Sequence, residues 1–237
     1  MKLSSPIYKL KRQAKLDART KGQKLNDALN QIAKSEGFND WGHLASSYSK
    51  TTPAKELLSK ILPGDMVIIA ARPGHGKTLL ALELATLSET IGKTGYIFSL
   101  DYNVNEIKTA IANLGVQFNT PAHSLKIDTS DEICAEHIIN QINPSHRNSI
   151  VIIDYLQLLD QKRDNSTLDT QILMLKRYAD KTGTTFIFVS QIDRRFELTT
   201  EKFPSLGDLR LPNPVDTSYF NKLCFLHDGD IQFKSAA

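Results

Sequence analysis

The sequence predicts an α/β fold: a mostly parallel, doubly wound sheet carrying most of the chain, with a small helical unit ahead of it. Three observations predict this. From residue 66 onward, short apolar runs alternate with helix-length amphipathic stretches, the pattern of a sheet whose crossovers are helices. The first apolar run ends in a glycine-rich loop that opens a helix. Residues 1–60 read as helices and carry twelve Lys/Arg against five Asp/Glu. A length of 237 residues with 41 % apolar content suits one sizeable core plus an accessory piece.

The elements follow in order. Residues 7–21 predict a basic helix with Ile7, Leu10, Ala14 and Leu16 as an imperfect apolar stripe, interrupted at Gly22. Residues 24–35 predict a second helix on Leu25, Leu29 and Ile32, with Gly37 as its C-terminal stop. Asn39 or Asp40 is placed to cap a third helix through Trp41, Leu44 and Tyr48. Ser49–Pro53 reads as a linker, dividing a basic helical domain, 1–50, from an α/β domain, 51–237. A short helix at 54–60 and a turn at Leu62-Pro63-Gly64-Asp65 precede a strand over 66–70. Helices are then expected at 77–91, 104–113, 131–142 and 167–182. Strands are expected at 95–100, near 124–127, at 149–154, at 184–190 and, singly or as a pair, over 222–234.

The loop Ala71-Arg72-Pro73-Gly74-His75-Gly76-Lys77-Thr78, with Leu79 behind it, sits between an apolar strand and a helix, where a phosphate-binding loop belongs. Backbone N–H groups there can wrap phosphates, and the helix N-terminus favours the anion. Lys77 is assigned to the β/γ oxygens of ATP, and the Thr78 hydroxyl to Mg2+. The general pattern opens on Gly; here Ala71 stands in that place. A second Mg2+-holding group is expected where Ser149-Ile150-Val151-Ile152-Ile153-Asp154 ends in an acid.

The loop, together with Phe98-Ser99-Leu100-Asp101, Ile153-Asp154-Tyr155-Leu156-Gln157-Leu158 and Ser190-Gln191-Ile192-Asp193-Arg194, resembles the DnaB-like replicative helicases, motif by motif and in order. The resemblance spans roughly residues 56–232 and extends to Ser205-Leu206-Gly207-Asp208-Leu209-Arg210. It implies a RecA-like P-loop core that binds and hydrolyses ATP with Mg2+ and acts on single-stranded DNA, as a ring or a smaller homo-oligomer. Asp101 falls at the position of the family's catalytic carboxylate and Gln191 at its γ-phosphate sensor. Residues 159–167 and 193–214 match its DNA-facing loops, making Lys162, Arg163, Arg194, Arg195 and Arg210 the candidate phosphate contacts. Each of these five could equally be a solvated surface charge.

Two departures qualify what the resemblance implies. The catalytic position is typically Glu; aspartate at 101 is one methylene shorter, and base catalysis depends on reach. The family also completes its site with basic residues from the next subunit, on strands beyond Leu223–Phe233, and a chain stopping at Ala237 is expected to lack them. The alternative reading is therefore a slow or non-hydrolysing ATP-gated regulator that holds DNA or a protein without unwinding.

Residues 1–60 balance at +7 and the rest at −4, within a net +3. This concentration of basic charge invites an acidic partner such as nucleic acid, a solvated helix face being the bland alternative. The N-terminal helices permit a helix-turn-helix, although Trp41 is more economically a core residue than a base-stacking one. His43 and His75 have no ligand partners at metal-binding spacing in the sequence. Cys134 and Cys224 lie far apart and read as packed, reduced thiols. Met1–Leu16 carries five basic residues and no apolar signal core, and no run is long enough for a membrane span, so a cytoplasmic address is expected.

Overall fold

The structure, a computed structural model, describes residues 3–5, 7–50, 52–114, 125–142, 148–160, 165–211 and 213–236. The chain divides into two compact units, Met1–Glu56 and Leu57–Ala237, a division that falls within helix α4 (Pro53–Leu58).

The first unit holds α1 (Ile7–Lys21), α2 (Leu25–Ser35) and α3 (Trp41–Lys50). Leu10 and Ala14 of α1 bury against Ala28 and Ile32 of α2, with Leu29 and Trp41 packed at the margin. Leu16 does not join this stripe: it is 54 % exposed, because two residues on from Ala14 turn it about 200° around the helix. Helix α2 stops at Gly37 (φ 84°). Its last carbonyls are closed by Phe38 N–H to Ala33 O (2.9 Å) and Gly37 N–H to Lys34 O (3.0 Å), the overlapping pair of a left-handed helix stop. Asp40 is the cap of α3, its carboxylate accepting from His43 N–H at 2.7 Å, while Trp41 N–H turns to Asn30 Oδ1 at 2.9 Å. The side chain of Tyr48 lies outside the described residues.

In the second unit the described residues form a seven-stranded sheet in the order β3-β2-β4-β5-β1-β6-β7. The strands are β1 (Met66–Ala71), β2 (Gly95–Ser99), β3 (Lys126–Asp128), β4 (Ile150–Asp154), β5 (Thr185–Gln191), β6 (Lys222–His227) and β7 (Asp230–Ser235). All pairings are parallel except β6 with β7. The central strands read as unbroken apolar runs because both faces are covered: every residue of β1 and β4 is buried. Between them run α5 (Lys77–Leu87), α6 (Val104–Asn113), α7 (Ala135–Gln141) and α8 (Leu168–Thr182). Phe98, Phe186, Phe188, Phe220 and Phe225 anchor the core on one side of the sheet.

Two helices are shorter than their patterns predict. The stretch 77–91 splits at Leu87 into α5 and a tight turn, Ser88–Ile91. There β2 passes so close that a Cβ on Gly95 would stand 2.5 Å from Ala85 O and 2.8 Å from Ser88 Oγ, so that only glycine fits. Helix α7 begins at Ala135 rather than 131, and its first N–H is taken by the buried Gln171 of α8 (3.0 Å). At the amino end of β1, Asp65 accepts from Leu62 N–H (2.7 Å) and from Asn221 Nδ2 (2.7 Å), while Met66 N–H donates to Asn221 Oδ1 (2.8 Å). This lattice fixes the register of β1 against β6. The tail resolves into a hairpin, β6 to β7, whose two turn residues Asp228 (φ 45°) and Gly229 (φ 83°) both take positive φ, as a two-residue hairpin turn requires. Cys224 is buried in β6, its thiol pushed up to about 12 by desolvation, and Cys134 is half-buried; both are free.

Candidate functional site

Sheet register delivers the site. At the carboxyl ends of the strands, Ser99 pairs with Asp154, Asp154 with Val189, Ala71 with Gln191, and Ala71 again with Leu226. Candidate residues distant in sequence thus converge on one edge of an open α/β sheet, where ligands of such folds bind.

The loop after β1 has the geometry its residues require. Ala71 is the last residue of β1, fully buried between β5 and β6; a strand position accepts a Cβ, which is why the missing first glycine does not disturb the loop. Arg72 and Pro73 lead into Gly74 (φ 82°), His75 and Gly76 (φ 87°), and Gly76 is the left-handed residue from which α5 starts. Lys77, Thr78 and Leu79 form the first turn, whose backbone N–H groups have no partner within the helix. A Cβ placed on Gly74 would meet nothing within 4 Å, leaving open space where a phosphate would have to approach.

Asp154 ends β4 only 3 % exposed. Burial pushes its carboxyl up to about 6, against the Thr78 hydroxyl that donates to it and the nearby Lys77 ammonium, while the Asp101 charge pushes the same way as burial. Asp101 lies two residues beyond β2 at the surface. Its carboxyl too is raised, by desolvation, with the Lys77 charge opposing. Tyr102 is raised by desolvation and then by Asp154, Asp101 and Glu106. Lys77, Thr78, Asp101 and Asp154 are therefore electrostatic neighbours. A cluster in which a desolvated carboxylate is only partly compensated by one lysine fits a divalent cation. Ser99 adds to this: opposite Asp154, its hydroxyl is buried and has no hydrogen-bond partner among the described residues. Sequence reasoning gave Ser99 no role, since nothing local distinguishes a serine at a strand end.

Gln191 closes β5. Its backbone carbonyl accepts from Arg210 N–H at 2.8 Å, and its side-chain oxygen accepts from Arg210 Nη1 at 3.4 Å. Gln157 joins the same node, its amide donating to the Arg210 carbonyl and to Ser190 Oγ. The segment after β5 is held onto the strand by an Ile192–Leu209 bridge. Arg72 ties the phosphate loop to that segment, donating to Glu197 Oε1 (2.7 Å) and to the Ile192 carbonyl (3.0 Å). Of the candidate nucleic-acid contacts, Arg194, Arg195 and Arg210 are exposed. Arg195 is turned back onto Asp193 (3.2 Å), and Lys162 and Arg163 lie outside the described residues.

His75 has ligand-type neighbours in space that lie at no ligand spacing in sequence: its ring stacks on His227 (centroids 5.6 Å apart, planes 6° apart) and accepts from Asp228 N–H at 3.2 Å. These partners come from the β6–β7 hairpin, 153 residues away in sequence, beyond the reach of any spacing rule.

Comparison with known proteins agrees with this geometry. Residues 118–218 match the family model of the DnaB-like helicase C terminal domain. The replicative DNA helicase DnaB of Mycoplasma genitalium is 30 % identical over 207 residues, covering 73 % of this chain and 44 % of that protein. A probable plasmid replicative DNA helicase of Chlamydia trachomatis is 30 % identical over 178 residues, covering 62 % of this chain and 39 % of that one. The chain thus spans less than half the length of these curated relatives. Among solved structures, an isolated ATPase domain superposes with a TM-score of 0.55 at 24 % identity, covering 78 % of this chain and 81 % of that one. A DnaB-like replicative helicase studied with primase gives 0.54 at 19 %, covering 92 % and 64 %. These two likenesses speak to the fold alone. Sheet order, loop geometry and sequence relatives lead to one conclusion: this chain has a RecA-like α/β core and belongs to the DnaB-like helicase C-terminal family.

Proposed function

We propose that the chain binds ATP with Mg2+ at residues 71–79 and hydrolyses it as a helicase-related P-loop ATPase acting on single-stranded DNA. The observation that carries this reading is Asp154: a buried carboxylate at a strand end, hydrogen-bonded by Thr78, neighboured by Lys77 and held above its ordinary range. A group so costly to ionise in isolation is explained by a cation that belongs beside it.

In this reading the N–H groups of Gly74–Thr78 and the start of α5 cradle the phosphates. Lys77 neutralises the β/γ oxygens, and Thr78 and Asp154 hold Mg2+. The ion supplies charge neutralisation on the transferred phosphoryl group. Asp101 accepts the proton of the attacking water; its raised carboxyl favours proton uptake. Gln191, bonded to Arg210 through both backbone and side chain, passes the state of the γ-phosphate to the segment 193–214. Arg194, Arg195 and Arg210, with Lys162 and Arg163, are the proposed phosphate contacts to DNA, and the 1–50 segment is proposed as a separate basic domain. As the named relatives are replicative helicases, assembly into a homo-oligomer is part of the proposal.

A second reading, a slow ATP-gated adaptor, is favoured by Asp101 itself, whose short side chain stands at the surface. ATP binding and turnover, measured with and without single-stranded DNA for the wild type, Lys77→Ala and Asp101→Ala, separate the two. DNA-stimulated turnover lost in both variants supports the motor. Tight binding with negligible turnover in the wild type supports the adaptor. Unchanged binding and turnover in Lys77→Ala would remove the site assignment.

A further inference from the structure

Beside the phosphate loop lies a group of side chains that the proposed ATPase chemistry does not use. We propose that His75, His227 and Asp228 form a binding site for a transition-metal dication of the zinc class, separate from the Thr78–Asp154 pair. One ligand-type atom from each of the three residues lies within 4.8 Å of the other two. Ligands on one tetrahedral zinc sit about 3.3 Å apart, given bonds of about 2.0–2.2 Å. His227 Nε2 and Asp228 Oδ2 are already at 3.5 Å, so the remaining movement is a modest rotation. Asp228, with its side chain 81 % exposed, is free to make it.

The framework holding these groups is stiff where a site needs stiffness. His227 is the last residue of β6, and its ring is wedged between His75 and the face-to-edge contact of Phe196 at 5.2 Å. Asp228 is fixed at φ 45° by the two-residue turn. His75 is held in the phosphate loop, its Nδ1 turned to Asp228 N–H by a 3.2 Å bond, long enough that an incoming metal displaces it at small cost. His227 offers Nε2 on the side of Asp228, while its Nδ1 is buried on the other side of the ring with no hydrogen-bond partner among the described residues; Nε2 is therefore the nitrogen the site would use.

The donor set selects the ion. Two imidazole nitrogens and one carboxylate oxygen suit Zn2+, Co2+ or Ni2+, whereas Mg2+ and Ca2+ take oxygen ligands. Three protein ligands leave one position, on the exposed side of Asp228, for water. Because the ligands come from the phosphate loop and from the hairpin, the ion would clamp one to the other.

The test uses the full chain without nucleotide, so it stands or falls independently of the ATPase reading. Zn2+ is titrated against a chromophoric chelator, and Co2+ is followed by its visible absorption. The expected result is one ion per chain, with affinity falling at least about tenfold in His227→Ala and in Asp228→Asn and unchanged in His137→Ala, a histidine elsewhere in the unit. Asp228→Asn tolerates the positive φ and keeps the test decisive if His227→Ala fails to fold. Zn2+ affinity unchanged in Asp228→Asn, or lost in His137→Ala instead, overturns the proposal.

Discussion

Ser99 stands directly opposite Asp154 in the β2–β4 register, its hydroxyl buried without a hydrogen-bond partner among the described residues and the carboxyl beside it pushed up to about 6. An unpartnered hydroxyl beside a desolvated carboxyl at the end of a sheet is a costly arrangement that suits the cation site proposed there.

The pH dependence follows from Asp154. Its folded value of about 6 exceeds the ordinary 3.8, so the folded state binds the proton more tightly than the unfolded chain. The stability it contributes is present below about pH 4 and is lost as pH rises through 6. A shift of about two units corresponds to at most roughly 3 kcal/mol. Asp154→Asn should therefore stabilise the nucleotide-free protein by roughly 2–3 kcal/mol at pH 7–8, and by little at pH 4. It should also weaken Mg2+-dependent nucleotide binding. Thermal unfolding at several pH values, alongside nucleotide titration, checks both; destabilisation at pH 8 would contradict the account.

Gly76 is the second test. At φ 87° it occupies a conformation that costs a side-chain-bearing residue about 1–2 kcal/mol. Gly76→Ala should lower stability by about that much in denaturant titrations and reduce nucleotide affinity disproportionately, since the loop must twist to relieve the strain.

Arg72 makes a third prediction. Its bond to Glu197 joins partly exposed groups, so Glu197→Ala should cost under about 1 kcal/mol. Arg72→Ala also strips the Ile192 carbonyl of its donor and should cost more, about 1–3 kcal/mol. A double-mutant cycle by equilibrium unfolding separates the ion pair from the carbonyl bond.

How far all this was legible in the sequence depends on the range of the interaction. The strands announced themselves as apolar runs because a parallel sheet covered on both faces needs them. The loop at 71–79 was visible because its glycines answer to local backbone geometry. Gly95 and Gln171 carried no such signal: the end of α5 is set by the close passage of β2, and the start of α7 by a side chain on α8. Leu16 had the right chemistry at the wrong angle. The pairing of His75 with His227 and Asp228 depends on β6 lying next to β1, a fact of topology that no local pattern encodes.

Gln157 yields a fourth prediction. Its amide bonds both Ser190 and the carbonyl of Arg210, joining the segment after β4 to the node around Gln191. Gln157→Leu should cost about 0.5–1.5 kcal/mol, the net worth of one hydrogen bond, because the bond to the Arg210 carbonyl is exposed and water can replace the donor. If ATP turnover responds to single-stranded DNA, that response should shrink more than turnover without DNA. Equal losses in both would limit Gln157 to holding the fold.

The position of β1 between β5 and β6 has a consequence for synthesis. The strand that leads into the phosphate loop is the first of the sheet to be translated, yet both of its neighbours are among the last; Arg72, for one, waits 120 residues for the Ile192 carbonyl. At about 5–20 residues per second that is roughly 6–24 s on the ribosome, during which an apolar strand with two open edges stands without its partners. The nascent chain is thus most exposed to misassociation before the site exists, and slowing translation between β1 and β5 should lower the soluble yield.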